Sequence, residues 1–145
     1  MKGPFKTNLT GKTAIVTGGS GTLCSAMAYG LAVSGAKIAL IGRRLDKLQE
    51  VTDDIKVKAE REYGKKVIVK GYSCDVTDKI GLTQVYEIIK RELGSCDILV
   101  NGAGGNQPGA ITSIEALEKE KGADDYSFWN LDEDKIQDVM NLNYM

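Results

Sequence analysis

Histidine is absent from the 145 residues of this chain, which excludes a Ser-His-Asp triad and any zinc site with a histidine ligand within it. Cysteine is scarce. Cys24, Cys74 and Cys96 are odd in number and scattered, a pattern of reduced thiols rather than of a disulfide framework. Neither sign of charge dominates: 19 basic side chains face 20 acidic ones, for a net charge of -1. Nucleic acid and anionic membranes are therefore not expected as partners. No apolar run approaches the length that spans a bilayer. The opening Met1-Lys2-Gly3-Pro4-Phe5-Lys6 has no apolar stretch behind its lysines, so no signal peptide is expected and the expected location is the cytoplasm. No metal site is expected either. The 42% of hydrophobic residues suffice for one globular domain over residues 1–145.

Glycine is plentiful, and its placing carries the first positive signal. Thr17-Gly18-Gly19-Ser20-Gly21-Thr22-Leu23-Cys24 follows a β-branched strand, Thr13–Val16, and opens an alanine-rich helical segment from Ser25. A glycine turn between strand and helix lets backbone approach a phosphate and aims the helix's free N–H groups at it. The same glycines also make ordinary turns.

Three further strand–helix pairs follow. The first helix stops at Gly35, a residue suited to a left-handed cap. Lys37–Ile41 reads as a second strand. The helix after it starts near Asp46, carries Leu48, Val51, Thr52, Ile55 and Ala59 on one face, and ends around Tyr63-Gly64. Val67-Ile68-Val69 forms the heart of a third strand. Thr77 can cap a third helix with Leu82, Val85, Tyr86, Ile89 and Leu93 as its core face, closed by Gly94. Asp97–Asn101 is a fourth strand. Beyond it come a loop, Gly102–Ala110, a charged segment, Glu115–Lys121, and the aromatics Tyr126, Phe128 and Trp129. A last helix begins near Asp132, with Ile136, Val139, Met140 and Asn143 on one face. Short apolar strands alternating with amphipathic helices imply a parallel sheet covered on both faces. The expected fold is therefore α/β, a Rossmann-type doubly wound sheet of order 3-2-1-4, incomplete at its C-terminus.

Taken together, these residues resemble the short-chain dehydrogenase/reductase family. The family pattern T-G-x-x-x-G-x-G, D-V, N-N-A-G and a helical asparagine is met in order by Thr17-Gly18, Asp75-Val76, Asn101-Gly102-Ala103-Gly104 and Asn143. Thr22 and Cys24 stand at the family's second and third glycines, and Gly102 at the second asparagine of N-N-A-G. Gly21 can keep the turn open, and Cys24 is small enough for close helix–sheet packing. The variant loops look like the D-mannonate oxidoreductase or fructuronate reductase branch. The resemblance covers little more than the first half of a family member.

Gly18, Ser20, Gly21, Thr22 and Leu23 are candidates to bind a dinucleotide's pyrophosphate and nicotinamide ribose. Gly42-Arg43-Arg44 follows the second strand, where a carboxylate would hold the adenosine ribose hydroxyls. Arginines there instead favour NADP(H), with NAD(H) as the alternative, and Arg43 is the candidate. Both arginines could equally be solvated residues at a helix start. The resemblance implies that Asp75 takes the adenine amine and Val76 covers the ring, while Asp75 and Thr77 also suit a turn and cap. It further implies that Asn101, Ala103 and Gly104 pass beneath the cofactor, though Asn101 could instead bridge strands. Asn143 matches the catalytic asparagine of the family, and can also be read as a residue at a helix end. Tyr86 and Lys90 match the family's Tyr-x-x-x-Lys pair in spacing, but precede the N-x-A-G loop and fall in the wrong part of the fold.

The expected function is that of the cofactor half of an NAD(P)(H)-dependent oxidoreductase. Its substrate would be a small carbonyl or hydroxy compound, with a sugar acid of the D-mannonate/fructuronate type as one possibility, and a homo-oligomer is expected. A non-catalytic dinucleotide-binding or interaction module is the alternative. A methyltransferase, which also uses a glycine loop, is disfavoured by the lack of an acid after the second strand.

Overall fold

The computed structural model describes residues 7–112 and 130–144; residues 113–129, which include the charged segment and the three aromatics, lie outside the described residues. The elements in chain order are β1 (Thr13–Thr17), α1 (Thr22–Val33), β2 (Lys37–Gly42), α2 (Leu45–Tyr63), β3 (Val69–Ser73), α3 (Lys79–Glu92), β4 (Ile98–Val100) and α4 (Glu133–Tyr144). They fall into two compact units, residues 1–103 and 104–145.

The first unit is a four-stranded parallel sheet of order β3-β2-β1-β4, the order expected from the sequence. Ile15 of β1 lies opposite Ala39 of β2 on one side and Leu99 of β4 on the other. Every residue of β1 is buried, because a central parallel strand is covered on both faces. Alternate side chains divide the core. Ala14, Val16, Ile38 and Leu40 meet Cys24, Ala28 and Ala32 of α1 and Leu48 and Ile55 of α2. Ile15, Ala39 and Ile41 meet Ile89 of α3 and its C-cap residue Leu93 on the opposite face. Each helix ends where glycine permits a left-handed turn: Gly35 at φ 108° and Gly64 at φ 62°, with the Gly64 N–H closing onto the Glu60 carbonyl at 2.8 Å.

Several elements depart from the sequence reading. β3 runs from Val69 to Ser73 rather than centring on Val67–Val69. Only Val69 of β3 is buried, so this edge strand needs no long apolar run. Gly71 lies under Leu48, whose Cβ would sit 2.9 Å from an added Cβ. The cap of α3 is Asp78, not Thr77: its carboxylate accepts from the Ile80 and Gly81 N–H groups at 3.1 and 3.0 Å. Tyr86, expected on the core face, is 37% exposed, and Ile89 and Leu93 carry that face instead. α1 starts three residues earlier than Ser25, at Thr22.

In the second unit α4 begins as expected beside Asp132, whose carboxylate accepts from the N–H groups of Asp134 and Lys135 at 3.0 and 3.2 Å. The Asp132 N–H donates to the Gly109 carbonyl at 2.9 Å, tying the helix start to the preceding loop. Ile136 and Met140 share a face of α4 and are both exposed.

Candidate functional site

In a parallel sheet all strands point the same way, so the segments after β1, β2, β3 and β4 emerge at one edge. Those segments hold Gly18–Gly21, Arg43-Arg44, Cys74–Asp78 and Asn101–Ala103, and Thr22 and Leu23 follow the first of them at the start of α1. Two of the segments are interlocked. Gly18 has φ +64°, and a Cβ there would run into the Gly102 carbonyl and come within 2.9 Å of the Ala103 nitrogen. The Thr17 hydroxyl accepts from the Gly102 and Ala103 N–H groups at 3.0 and 3.1 Å. On the other side the Cys24 thiol donates to the Gly102 carbonyl at 3.6 Å. Burial pushes that thiol's pKa up, keeping it protonated and able to donate.

The start of α1 is left open. Gly21 is its N-cap, at φ −79° and ψ 151°, and no side chain caps the helix. The Gly21 N–H turns back to the Gly18 carbonyl at 2.8 Å, and the Ser25 N–H makes the first helical bond, to the Gly21 carbonyl at 2.9 Å. Between them the N–H groups of Thr22, Leu23 and Cys24 begin a helix whose first turn contains no acidic residue. Such a terminus carries positive potential and accepts an anion. Gly19 brings the loop against β2, donating to the Ile41 carbonyl at 3.0 Å; an added Cβ would lie 2.8 Å from the Leu40 Cβ. Ser20 is half-buried in this loop, and Leu23 is 73% exposed.

Arg43 is exposed directly after β2, and its carbonyl accepts from the Ser73 hydroxyl at 3.0 Å, which joins it to the end of β3. Arg44, beside it, is the N-cap of α2 and gives no side-chain cap. Asp75 accepts from the Thr77 N–H and hydroxyl at 2.9 and 2.8 Å, both bonds ending on Oδ1. Those bonds, with the nearby positive charge of Arg43, hold its carboxyl below the usual carboxylate range. The turn reading of Asp75 is thus realised, while Oδ2 remains for another donor. Val76 is half-buried next to it.

Asn101 is exposed, and the bridge between the ends of β1 and β4 is made by Thr17 rather than by Asn101. The sequence signal for Thr17 is only its place before Gly18; its hydroxyl's two long-range partners are not legible there. Gly104 and Asn143 belong to the second unit, which brings them together. The Asn143 amide donates to the Gly105 and Val139 carbonyls at 2.8 and 2.7 Å, and its oxygen accepts from the Gly105 N–H at 3.3 Å. A Cβ on Gly104 would lie 2.6 Å from that oxygen. Asn143 therefore latches the segment that follows β4, a definite role for a residue that also reads as a helix end. Tyr86 and Lys90 lie along α3 and are both exposed. Among the described residues no group of three metal-binding side chains converges. No helix there is long and apolar enough to cross a membrane.

The chain is similar to known proteins. The uncharacterized oxidoreductase UxuB of Bacillus subtilis (strain 168) is 40% identical over 145 residues, covering 97% of this chain and 48% of the relative. An uncharacterized oxidoreductase of Haemophilus influenzae is 38% identical over 95% of this chain and 46% of its own length. The chain thus spans about half the length of these relatives. Among solved structures, an H. influenzae protein with a provisional assignment as a D-mannonate oxidoreductase, bound to NAD, superposes with a TM-score of 0.85. It is 35% identical over 95% of this chain and 47% of that one. A metagenomic short-chain oxidoreductase in complex with NADP gives a TM-score of 0.59 at 31% identity, over 68% of this chain and 41% of that one. The family model for short chain dehydrogenase matches residues 12–145, from the residue before β1 through the interlocked loops and past the Asn143 latch, and the chain belongs to that family.

Proposed function

We propose that the first unit binds a nicotinamide dinucleotide at the carboxyl edge of its sheet, as the cofactor half of an oxidoreductase that interconverts a carbonyl and an alcohol. One observation carries this reading: the open N-terminus of α1 lies beside a loop crossing where Gly18 and Gly102 leave no room for side chains. The residues fit the group. The N–H groups of Thr22 and Leu23 and the Ser20 hydroxyl would hold the pyrophosphate, with Gly18 and Gly21 allowing close approach. Asp75 Oδ2 would accept from the adenine amine, and Val76 would cover the ring. Arg43 would pair with a 2′-phosphate, which makes NADP(H) the preferred cofactor and NAD(H) the alternative. Asn101 and Ala103 would pass beneath the nicotinamide end; within the second unit, Asn143 holds Gly105, the residue after Gly104. The nicotinamide, when bound, supplies or accepts hydride. The NAD-bound H. influenzae structure, with its provisional assignment as a D-mannonate oxidoreductase, supports a sugar acid of the D-mannonate/fructuronate type as substrate.

A non-catalytic dinucleotide-binding or interaction module is the second reading. In its favour, the Tyr-x-x-x-Lys spacing occurs among the described residues only at Tyr86 and Lys90, away from the strand ends. Fluorescence titration of the 145-residue chain with NADPH and NADH tests the dinucleotide site itself. The expected result is binding of both, tighter for NADPH, with no carbonyl reduction. Arg43→Ala should abolish the preference, and Asp75→Ala should weaken both cofactors about tenfold, the loss of one hydrogen bond to a charged group. Binding of neither cofactor overturns the proposal; an unchanged NADPH constant in Arg43→Ala overturns the arginine assignment.

A further inference from the structure

Gly102 is a glycine for reasons of space, not conformation. Its φ lies outside the left-handed region, so any residue could adopt its backbone. An added Cβ would collide with the Cys24 sulfur, while the Thr17 carbonyl oxygen would lie at 3.0 Å and the Cys24 Cβ at an ordinary 3.6 Å. The sulfur is thus the principal obstacle to a side chain at this position. Cys24 is 6% exposed in the first turn of α1, and its thiol reaches the Gly102 carbonyl at 3.6 Å. From the other side the Thr17 hydroxyl holds the Gly102 and Ala103 N–H groups. The peptide at Gly102 is therefore gripped between two side chains that come from opposite ends of the glycine loop.

We propose that Cys24 and Gly102 form one fitted pair, and that Cys24 is a positioning residue that sets the spacing between the N-terminus of α1 and the loop after β4. This rests on the dinucleotide reading above, in which the first of these segments faces the pyrophosphate and the second the nicotinamide end. The adenosine end would lie on the segments after β2 and β3, which the pair does not touch. A side chain at position 102 displaces the segment after β4 and leaves the N–H groups of α1 in place, so disturbing the pair should weaken a whole dinucleotide far more than AMP, whose single phosphate would keep its contact with α1.

The test compares Cys24→Ala, Gly102→Ala and the double substitution in the 145-residue chain, titrated with NADH and with AMP, with folding checked by circular dichroism. Gly102→Ala should weaken NADH at least about tenfold and change AMP by less than about threefold. Cys24→Ala, which removes the thiol's hold on the Gly102 carbonyl, should weaken NADH about threefold and leave AMP unchanged, and the double variant should recover from the Gly102→Ala level to that of Cys24→Ala, because Ala at position 24 removes the obstructing sulfur. Should Gly102→Ala fail to fold, folding and NADH binding by the double variant support the pair, and failure of the double variant overturns it. Equal losses of NADH and AMP in Gly102→Ala, or no loss of NADH, also overturn it. An unaltered chain that binds neither ligand overturns the dinucleotide reading itself, and the pair's assigned role with it.

Discussion

Asp97 acts at the edge of the sheet opposite the candidate site. One carboxylate oxygen accepts from the Thr13 N–H at 2.9 Å and the other from the Lys12 ammonium at 2.7 Å, so a single side chain pins the start of β4 to the start of β1. These bonds, Lys12 first, hold its carboxyl below the usual carboxylate range. A depressed folded pKa means that the stabilisation is fully present above the unfolded value, about 3.9, and is lost as pH falls through the folded one. Denaturant unfolding from pH 7 to pH 2 should show Asp97→Asn less stable at pH 7, with a shallower loss below about pH 4; an acid limb as steep as the original contradicts this. The exposed Lys12 contributes little by charge alone, so the bond to the Thr13 backbone carries most of the effect. The same scale shows what the sequence conceals. Cys24 and Gly102 each depart from the family pattern, but 78 residues separate them, and only the fold reveals that the two departures meet in one contact. Asp75, by contrast, is legible as a turn residue, because its partner Thr77 is two positions away.

Among the elements, those with strong local signals were legible and those set by neighbours were not. α1, α2 and α3 end at the glycines that the sequence marks, and the apolar strands β1 and β2 fall where expected, since buried central strands must be apolar throughout. β3 was displaced toward Lys70-Gly71-Tyr72-Ser73 because an edge strand is held by its ladder to β2 more than by burial. β4 is the other edge. It pairs with β1 on one side, Leu99 is 58% exposed, and an apolar groove of about 550 Å³ beside it is lined by Met27, Leu31, Ile98 and Val100. An apolar edge with unpaired N–H and C=O groups is a template for another strand. The 145-residue chain should therefore self-associate through β4, and Leu99→Lys should reduce that association. Light scattering at rising concentration checks it: a monodisperse monomer with cooperative unfolding would show that the edge is closed.

At the scale of the whole molecule, the parallel order β3-β2-β1-β4 collects four sequence-distant segments at one edge. The alternation of strands and helices makes that topology legible, because right-handed crossovers leave few alternatives. The fit between the segments, Thr17 holding Gly102 and Ala103 above all, is not legible, because it depends on how closely β1 and β4 approach. Backbone amide exchange with and without saturating NADPH tests the central claim most directly, since it reads the whole edge at once. The expected result is slowed exchange at Thr22, Leu23 and Cys24, at Arg43, at Asp75–Thr77 and at Asn101–Ala103. The opposite edge, Gly35-Ala36 and Gly94–Asp97, should stay unchanged. Protection at that opposite edge alone, or none at Thr22–Cys24, would contradict a dinucleotide site at the carboxyl ends of the strands.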